Sequence, residues 1–295
     1  MFDSLEEAVE RAEAEGVSLG ELALATEAAD GLRAREAVEA SLRRALDVMR
    51  KAIDRGLAGD LRSVSGLVGG DAARMRDARG PLAGTLFTDV IAAALAVQEV
   101  NAAMGVIVAA PTAGGAGVLP GTLLGIAARR ELSDDVLVRG LAAAGLVGAV
   151  VAVRASLSGA EGGCQAETGA AAGMAAAAGV EVLGGTPREA AHAVALTMQG
   201  TLGLVCDPLG GLVEVPCVYR NATGAAMALA GIEMALAGIT FPIPVDEVID
   251  TMGEIGRNMD VRYRETAGGG LAATPTGRRL AKERLIQIKG RGASA

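Results

Sequence analysis

The chain has 295 residues, a formal charge of −8 and 51% hydrophobic residues, but only two Tyr, three Phe and no Trp. An acidic chain with so few rings lacks the basic footprint and stacking groups of a nucleic-acid binder, which excludes that class. The longest uninterrupted apolar stretch, residues 140–153, is short for a bilayer span and reads as a buried helix; the start, MFDSLEEAVERAEAEG, is an acidic amphipathic helix and not a signal peptide, so no membrane partner and a cytoplasmic location are expected.

The apolar mass is mostly Ala, Leu, Val and Met, which favours helix over strand, and the expected fold class is all-α. Ser4 and Ser18 each stand three residues before a Glu, as in a capping box, and open the first helices. A further long helix is expected from about Ala28 to Arg55, ended by Gly56 and Gly59. From Ser65 the texture changes. SGLVGGDAARM is a Gly-rich turn into a helix with Asp71 near its start, where a helix cap is the simplest role. Residues 84–104 read as a buried helix, and 110–121 (APTAGGAGVLPG) as a Gly-rich loop from which Pro120 and Gly121 open the next one. Ser133 caps the helix that carries the 140–153 run. SGAEGGCQAETG (158–169) is another loop before an Ala-rich helix, and Thr186-Pro187-Arg188-Glu189 is a helix start with cap, first-turn proline and capping Glu. CDPLGGLVEVPCVYRN (206–221) is a third irregular segment running into helix; a helix follows Pro244, and a Gly-rich turn leads to a basic amphipathic tail. The organisation expected is an N-terminal helical extension, residues 1–60, and a helical catalytic domain, 61–295, in one continuous body with Gly-rich loops at helix N-termini.

Cys164, Cys206 and Cys217 are the only cysteines, and each lies in a Gly- or Pro-flanked loop that is expected to open a helix. An odd, sparse set argues against a disulfide framework. The unpaired N–H groups at a helix start favour a thiolate, and thiolates there suit an anionic metal–sulfide cluster. On residue type alone three readings stay open: small buried hydrophobes, a zinc site whose fourth ligand is a carboxylate, and an iron–sulfur centre.

The segments EVNAAMG (99–105), PTAGGAGVLPGT (111–122), SGAEGGCQAETG (158–169), LGLVCDPLGGLVEVPCVYRNA (202–222) and GGLAATPTGR (269–278) resemble the α chain of bacterial iron–sulfur L-serine dehydratase. The cysteine spacings, 42 and then 11 residues, match that family's three cluster cysteines. The resemblance implies a [4Fe–4S] cluster on Cys164, Cys206 and Cys217, one iron left open as a Lewis acid, and L-serine converted to pyruvate and ammonia without pyridoxal phosphate. Single-chain members carry a further domain with a Ser-Ser-His-Thr-type motif that supplies a histidine. That motif does not occur here, so the resemblance is to the two-chain type with a separate β subunit, and the base that takes the α-proton is assigned to no residue of this chain.

Arg220 and Asn221 follow Cys217 by three and four residues, on one helix face with it, and Arg220 suits a substrate carboxylate. Thr112 and Gly114 belong to a loop able to form a backbone anion nest for the same group, and Gln165 and Glu167 flank Cys164. Arg220, Asn221, Thr112, Gly114 and Glu167 are the candidate substrate contacts; Ser156 and Ser158 read as loop structure. His192, the only histidine, lies beside the apolar stripe of its helix and reads as an ordinary boundary residue. Two other classes compete: a nucleotide-binding oxidoreductase, in which Pro120 occupies the third glycine of G-x-G-x-x-G, and a non-catalytic iron–sulfur redox or sensor protein. Within the lyases, a cysteine desulfidase uses the same elimination on a thiol.

Overall fold

Ser4 and Thr186 show how local sequence starts the helices. Ser4 Oγ accepts from Glu7 N (3.0 Å), and the Thr186–Glu189 pair closes a complete capping box with Pro187 in the first turn. The computed structural model describes residues 2–30 and 34–292, apart from the side chains of Asp30 and residues 285–292. Among them are α1 (Leu5–Glu15), α2 (Leu19–Asp30), α3 (Arg35–Leu57), α4 (Asp71–Arg76), α5 (Leu86–Ala102), α6 (Val118–Arg130), α7 (Asp134–Arg154), α8 (Gly159–Gly162), α9 (Ala170–Val182), α10 (Pro187–Met198), α11 (Cys217–Leu236), α12 (Val245–Asn258) and α13 (Pro275–Gly292). No β-strand occurs among the described residues, and the fold is all-α.

Several boundaries differ from expectation. The run expected from Ala28 to Arg55 is divided: α2 reaches Asp30, Ala34 is extended, and α3 starts at Arg35, while residues 31–33 of that run lie outside the described residues. Pro120 is the third residue of α6, not its opening, and Ser133 precedes α7 without a side-chain cap bond. Asp71 begins α4, but the cap comes from a distant side chain. The Glu99 carboxyl on α5 accepts from the N–H groups of Gly70 (3.0 Å), Asp71 (2.6 Å) and Ala72 (3.1 Å).

Helix α9 is the axis of the core. All its residues except Glu181 are buried, and it packs against α6, α7, α10 and α11. Its alanines and glycines let the neighbouring backbones come close. A Cβ on Gly179 would overlap Ile232 Cδ1, and one on Gly231 would overlap Thr197 Oγ1. Helix α7 is long and apolar enough to cross a membrane by length and composition, with 67% of its apolar window buried. Leu5, Leu19, Leu22 and Leu46 of the first three helices share one hydrophobic cluster with Val147 and Ala170–Ala178. Asp246 on α12 accepts from Leu5 N (2.8 Å) and Glu6 N (3.0 Å), and Glu181 accepts from Ser18 Oγ (2.6 Å) and Gly20 N (3.1 Å). These carboxyl groups supply the partners that helix starts lack.

Candidate metal centre and reaction cleft

Three chain segments bring the cysteines together. Cys164 sits between α8 and α9, at the head of a π-helical turn over Gln165–Gly169. Cys206 is in extended chain beside the 263–265 segment, its N–H donating to Tyr263 O and its carbonyl accepting from Glu265 N, both at 2.8 Å. Cys217 is the first residue of α11. All three are buried free thiols. Gln165, fully buried, holds the arrangement: its Oε1 accepts from Gly203 N (2.8 Å) and its Nε2 donates to Met252 O (3.0 Å).

The expected helix start is found at Cys164, which heads the π-helical turn leading into α9, and at Cys217, but not at Cys206, and the expected ease of ionisation is found at none of them. Burial pushes all three thiols up, Cys217 from the ordinary 9.0 to about 12 and Cys206 further. The negative charge of Cys164 and Glu167 adds to the burial at Cys206 and Cys217. Desolvation therefore outweighs the helix-end field. Opposing it at Cys164 are Thr168 Oγ1, 3.1 Å from the sulfur, and the charge of Arg220. The Arg220 guanidinium is itself held, by Asp207 Oδ1 (2.8 Å) and Val205 O (2.8 Å).

Glu167 stands at the edge of this group. Its Oε1 accepts from Thr112 Oγ1 (2.7 Å), and its Oε2 lies 3.9 Å from Cys206 Sγ. Burial pushes its carboxyl up, and the Glu265 carboxylate adds to the shift. Both glutamates and Thr112 line a cleft of about 430 Å³, together with Ser156, Ser158 and Glu161. Gly114 and Gly159 leave room for Glu167, since a Cβ at either position would stand within 3.0 Å of its carboxylate oxygens. Asn221 is fully buried and engaged: Oδ1 accepts from Gly117 N (2.8 Å), and Nδ2 donates to Gly114 O (2.6 Å) and Cys217 O (2.9 Å). It fastens the 111–117 loop to the start of α11. Ser156 Oγ donates to Glu161 Oε2 (2.6 Å) and accepts from Ser158 N (3.1 Å). His192 lies on α10, where its Nδ1 accepts from Phe241 N (3.3 Å), and it does not line the cleft.

Several contributors had no recognised signal in the sequence. Gln98 donates to Ala113 O (2.8 Å) and Gly114 O (3.2 Å), and Asp207 pairs with Arg220. Glu214 is buried and receives Ser63 Oγ (2.6 Å), Ser65 N (2.9 Å) and Ser65 Oγ, tying the segment before α4 to the start of α11. A lone acid inside the apolar run LVEVPC was the available clue to Glu214. Glu265 follows no motif and reaches the site only through the pairing of its segment with Cys206. Among the described residues no three His, Cys, Asp or Glu side chains stand close enough to share one metal ion.

The family model described as serine dehydratase alpha chain matches residues 14–272. The chain belongs to the serine dehydratase alpha chain family. It is 48% identical over 286 residues to the probable L-serine dehydratase, alpha chain, of Bacillus subtilis (strain 168), covering 96% of this chain and 95% of that protein. To the L-serine dehydratase, alpha chain, of Peptoniphilus asaccharolyticus it is 36% identical over 288 residues, covering 97% and 99%. The L-serine dehydratase of Streptomyces coelicolor (strain ATCC BAA-471 / A3(2) / M145) is a longer relative, 38% identical over 279 residues, which span 92% of this chain and 60% of that one. Serine dehydratase alpha chains are thus matched here along nearly their whole length, while the longer relative carries further sequence.

Proposed function

We propose that the chain is the α subunit of a two-chain L-serine ammonia-lyase that yields pyruvate and ammonia, with a [4Fe–4S] cluster held by Cys164, Cys206 and Cys217 and a separate β subunit as partner. The observation that carries the reading is the convergence of three buried free thiols from three separated segments in a serine dehydratase alpha chain. The donor set fits such a group. The three donors are all thiols, the ligand type of iron–sulfur clusters, and they lie close enough that the charge of Cys164 raises the pKa of Cys206 and Cys217. Their raised pKa values also mean that all three become thiolates together only when a metal centre compensates them. When bound, the cluster supplies Lewis acidity at its open iron, which eases departure of the serine hydroxyl.

The chain's own groups prepare the cleft. Glu167, its carboxyl pushed up by burial, accepts a hydrogen bond from Thr112 Oγ1 at the cleft wall. Arg220, locked to Asp207, sets a fixed positive charge beside Cys164 and positions the thiol. Asn221 and Gly114 hold the Gly-rich loop against Glu167, and burial of the thiols keeps bulk water from them.

The test is iron and acid-labile sulfide per chain after strictly anaerobic reconstitution, with Cys206→Ala as control, followed by L-serine and L-cysteine turnover with the β chain. About four of each in the native chain, a fall in the control, and preference for L-serine support the reading. No bound sulfide, equal content in the control, or turnover of L-cysteine alone sinks it.

A further inference from the structure

Behind the Ser156–Glu161 wall lies a second cleft of about 380 Å³, lined by Ala155, Met252, Arg257 and Arg264 among others. Its floor is backbone. Gly256 of α12 crosses α8 so closely that a Cβ on it would stand 2.8 Å from Gly162 Cα. The polar side chains that line the cleft are Ser156, Glu161, Arg257 and Arg264. Among the described residues, neither Arg257 nor Arg264 makes a side-chain hydrogen bond or ion pair within the chain, and Arg264 Nε is buried without an acceptor. Glu161, which also lines the cleft, turns its carboxylate onto Ser156 Oγ (2.6 Å) and pairs with neither.

The chain carries 35 Asp and Glu against 27 Lys and Arg. Arg35, Arg188 and Arg220, by contrast, each pair with a carboxylate. A buried guanidinium N–H left without an acceptor is costly, and a carboxylate answers it with two parallel charge-assisted bonds. The backbone of Arg264 is fixed by the flanking bonds of Tyr263 and Glu265 to Cys206, and its side chain lines the second cleft.

We propose that this cleft is a binding site for a small organic carboxylate, captured by the Arg264 guanidinium with Arg257 at the rim. The small residues of the floor leave space for a two- or three-carbon acid. Its identity as substrate or product rests on the function proposed above, in which L-serine and pyruvate both present that carboxylate. The site flanks the reaction cleft, with Ala155, Ser156 and Glu161 lining both.

The experiment is calorimetric titration of the metal-free chain with L-serine, with pyruvate, and with ethanolamine, which keeps the amine and hydroxyl of serine but has no carboxylate. It is repeated on Arg264→Gln, Arg264→Lys and Arg257→Gln. Because the Arg264 side chain bonds to nothing in the chain, Arg264→Gln is expected to melt with the native protein, and a melting curve checks this. Binding of L-serine, pyruvate or both, with no binding of ethanolamine, supports the proposal if affinity falls about tenfold or more in Arg264→Gln and less in Arg257→Gln. Arg264→Lys retains charge but loses the paired geometry and is expected to fall in between. The acid that binds more tightly identifies the source. Equal binding of ethanolamine, absence of carboxylate binding, or an affinity indifferent to Arg264→Gln overturns the site. Serine turnover by the reconstituted enzyme separates the two readings. Turnover with a carboxylate affinity indifferent to Arg264→Gln overturns this site alone, and arginine-dependent carboxylate binding without turnover overturns the proposed function and leaves the site standing.

Discussion

Along α9 the buried side chains are alanines, glycines, valines and a methionine, whose backbone polar groups are satisfied by the helix itself. In the turn just before it, Gln165 and Thr168 are buried together with Cys164, and Glu167 is half-buried against Cys206. Two adjoining stretches of one chain thus meet opposite demands. The first closes all its polar groups locally and gains stability from close packing. The second keeps a thiol and a carboxyl in a desolvated setting that raises their pKa values, which a folded protein tolerates only where the surrounding frame is rigid. The small residues of α9 supply that frame, because they let α6, α7, α10 and α11 pack on it from several sides.

The comparison is broken most forcefully from the helical side. Gly179→Val drives two methyl groups into Ile232 at the α9–α11 contact, and a loss of about 3 kcal/mol in denaturant stability is expected. If the frame positions the thiols, the same variant also reconstitutes less iron per folded chain. Unchanged stability contradicts the close packing described here. Next in size is Glu99→Ala, which leaves three N–H groups at the start of α4 without their acceptor; a cost of about 2 kcal/mol is expected from urea unfolding.

The site side is sharpened by pH. The folded Cys217 thiol titrates near 12 and the unfolded one near 9.0, so its stabilising contribution is complete below pH 9 and is lost as pH rises toward 12. In the metal-free chain, stability is expected to decline over that interval, and Cys217→Ala is expected to flatten the decline. Parallel pH profiles for the two proteins contradict the burial argument. The smallest effect is expected at His192. Its replacement by Ala removes one bond of 3.3 Å to Phe241 N and is expected to cost less than about 1 kcal/mol and to leave serine turnover unchanged. A large loss of turnover contradicts the reading of His192 as a boundary residue.

Much of this protein was legible in one dimension because the deciding forces are local. Scarce rings and abundant Ala and Leu specified helices, and Ser4, Ser18 and Thr186 marked their starts through bonds that span only three residues. The cysteine spacings and Gly-rich segments specified the family, since such motifs are carried by the chain itself. What only the tertiary structure decided depends on pairs far apart in sequence. Glu99 caps α4 across 28 residues, Asn221 fastens a loop 104 residues away, and Glu265 reaches Glu167 because its segment pairs with Cys206. The thiol pKa values belong to the same class. A helix start predicts easy ionisation from local geometry, but burial is a property of everything packed around the group, and at all three cysteines burial prevails.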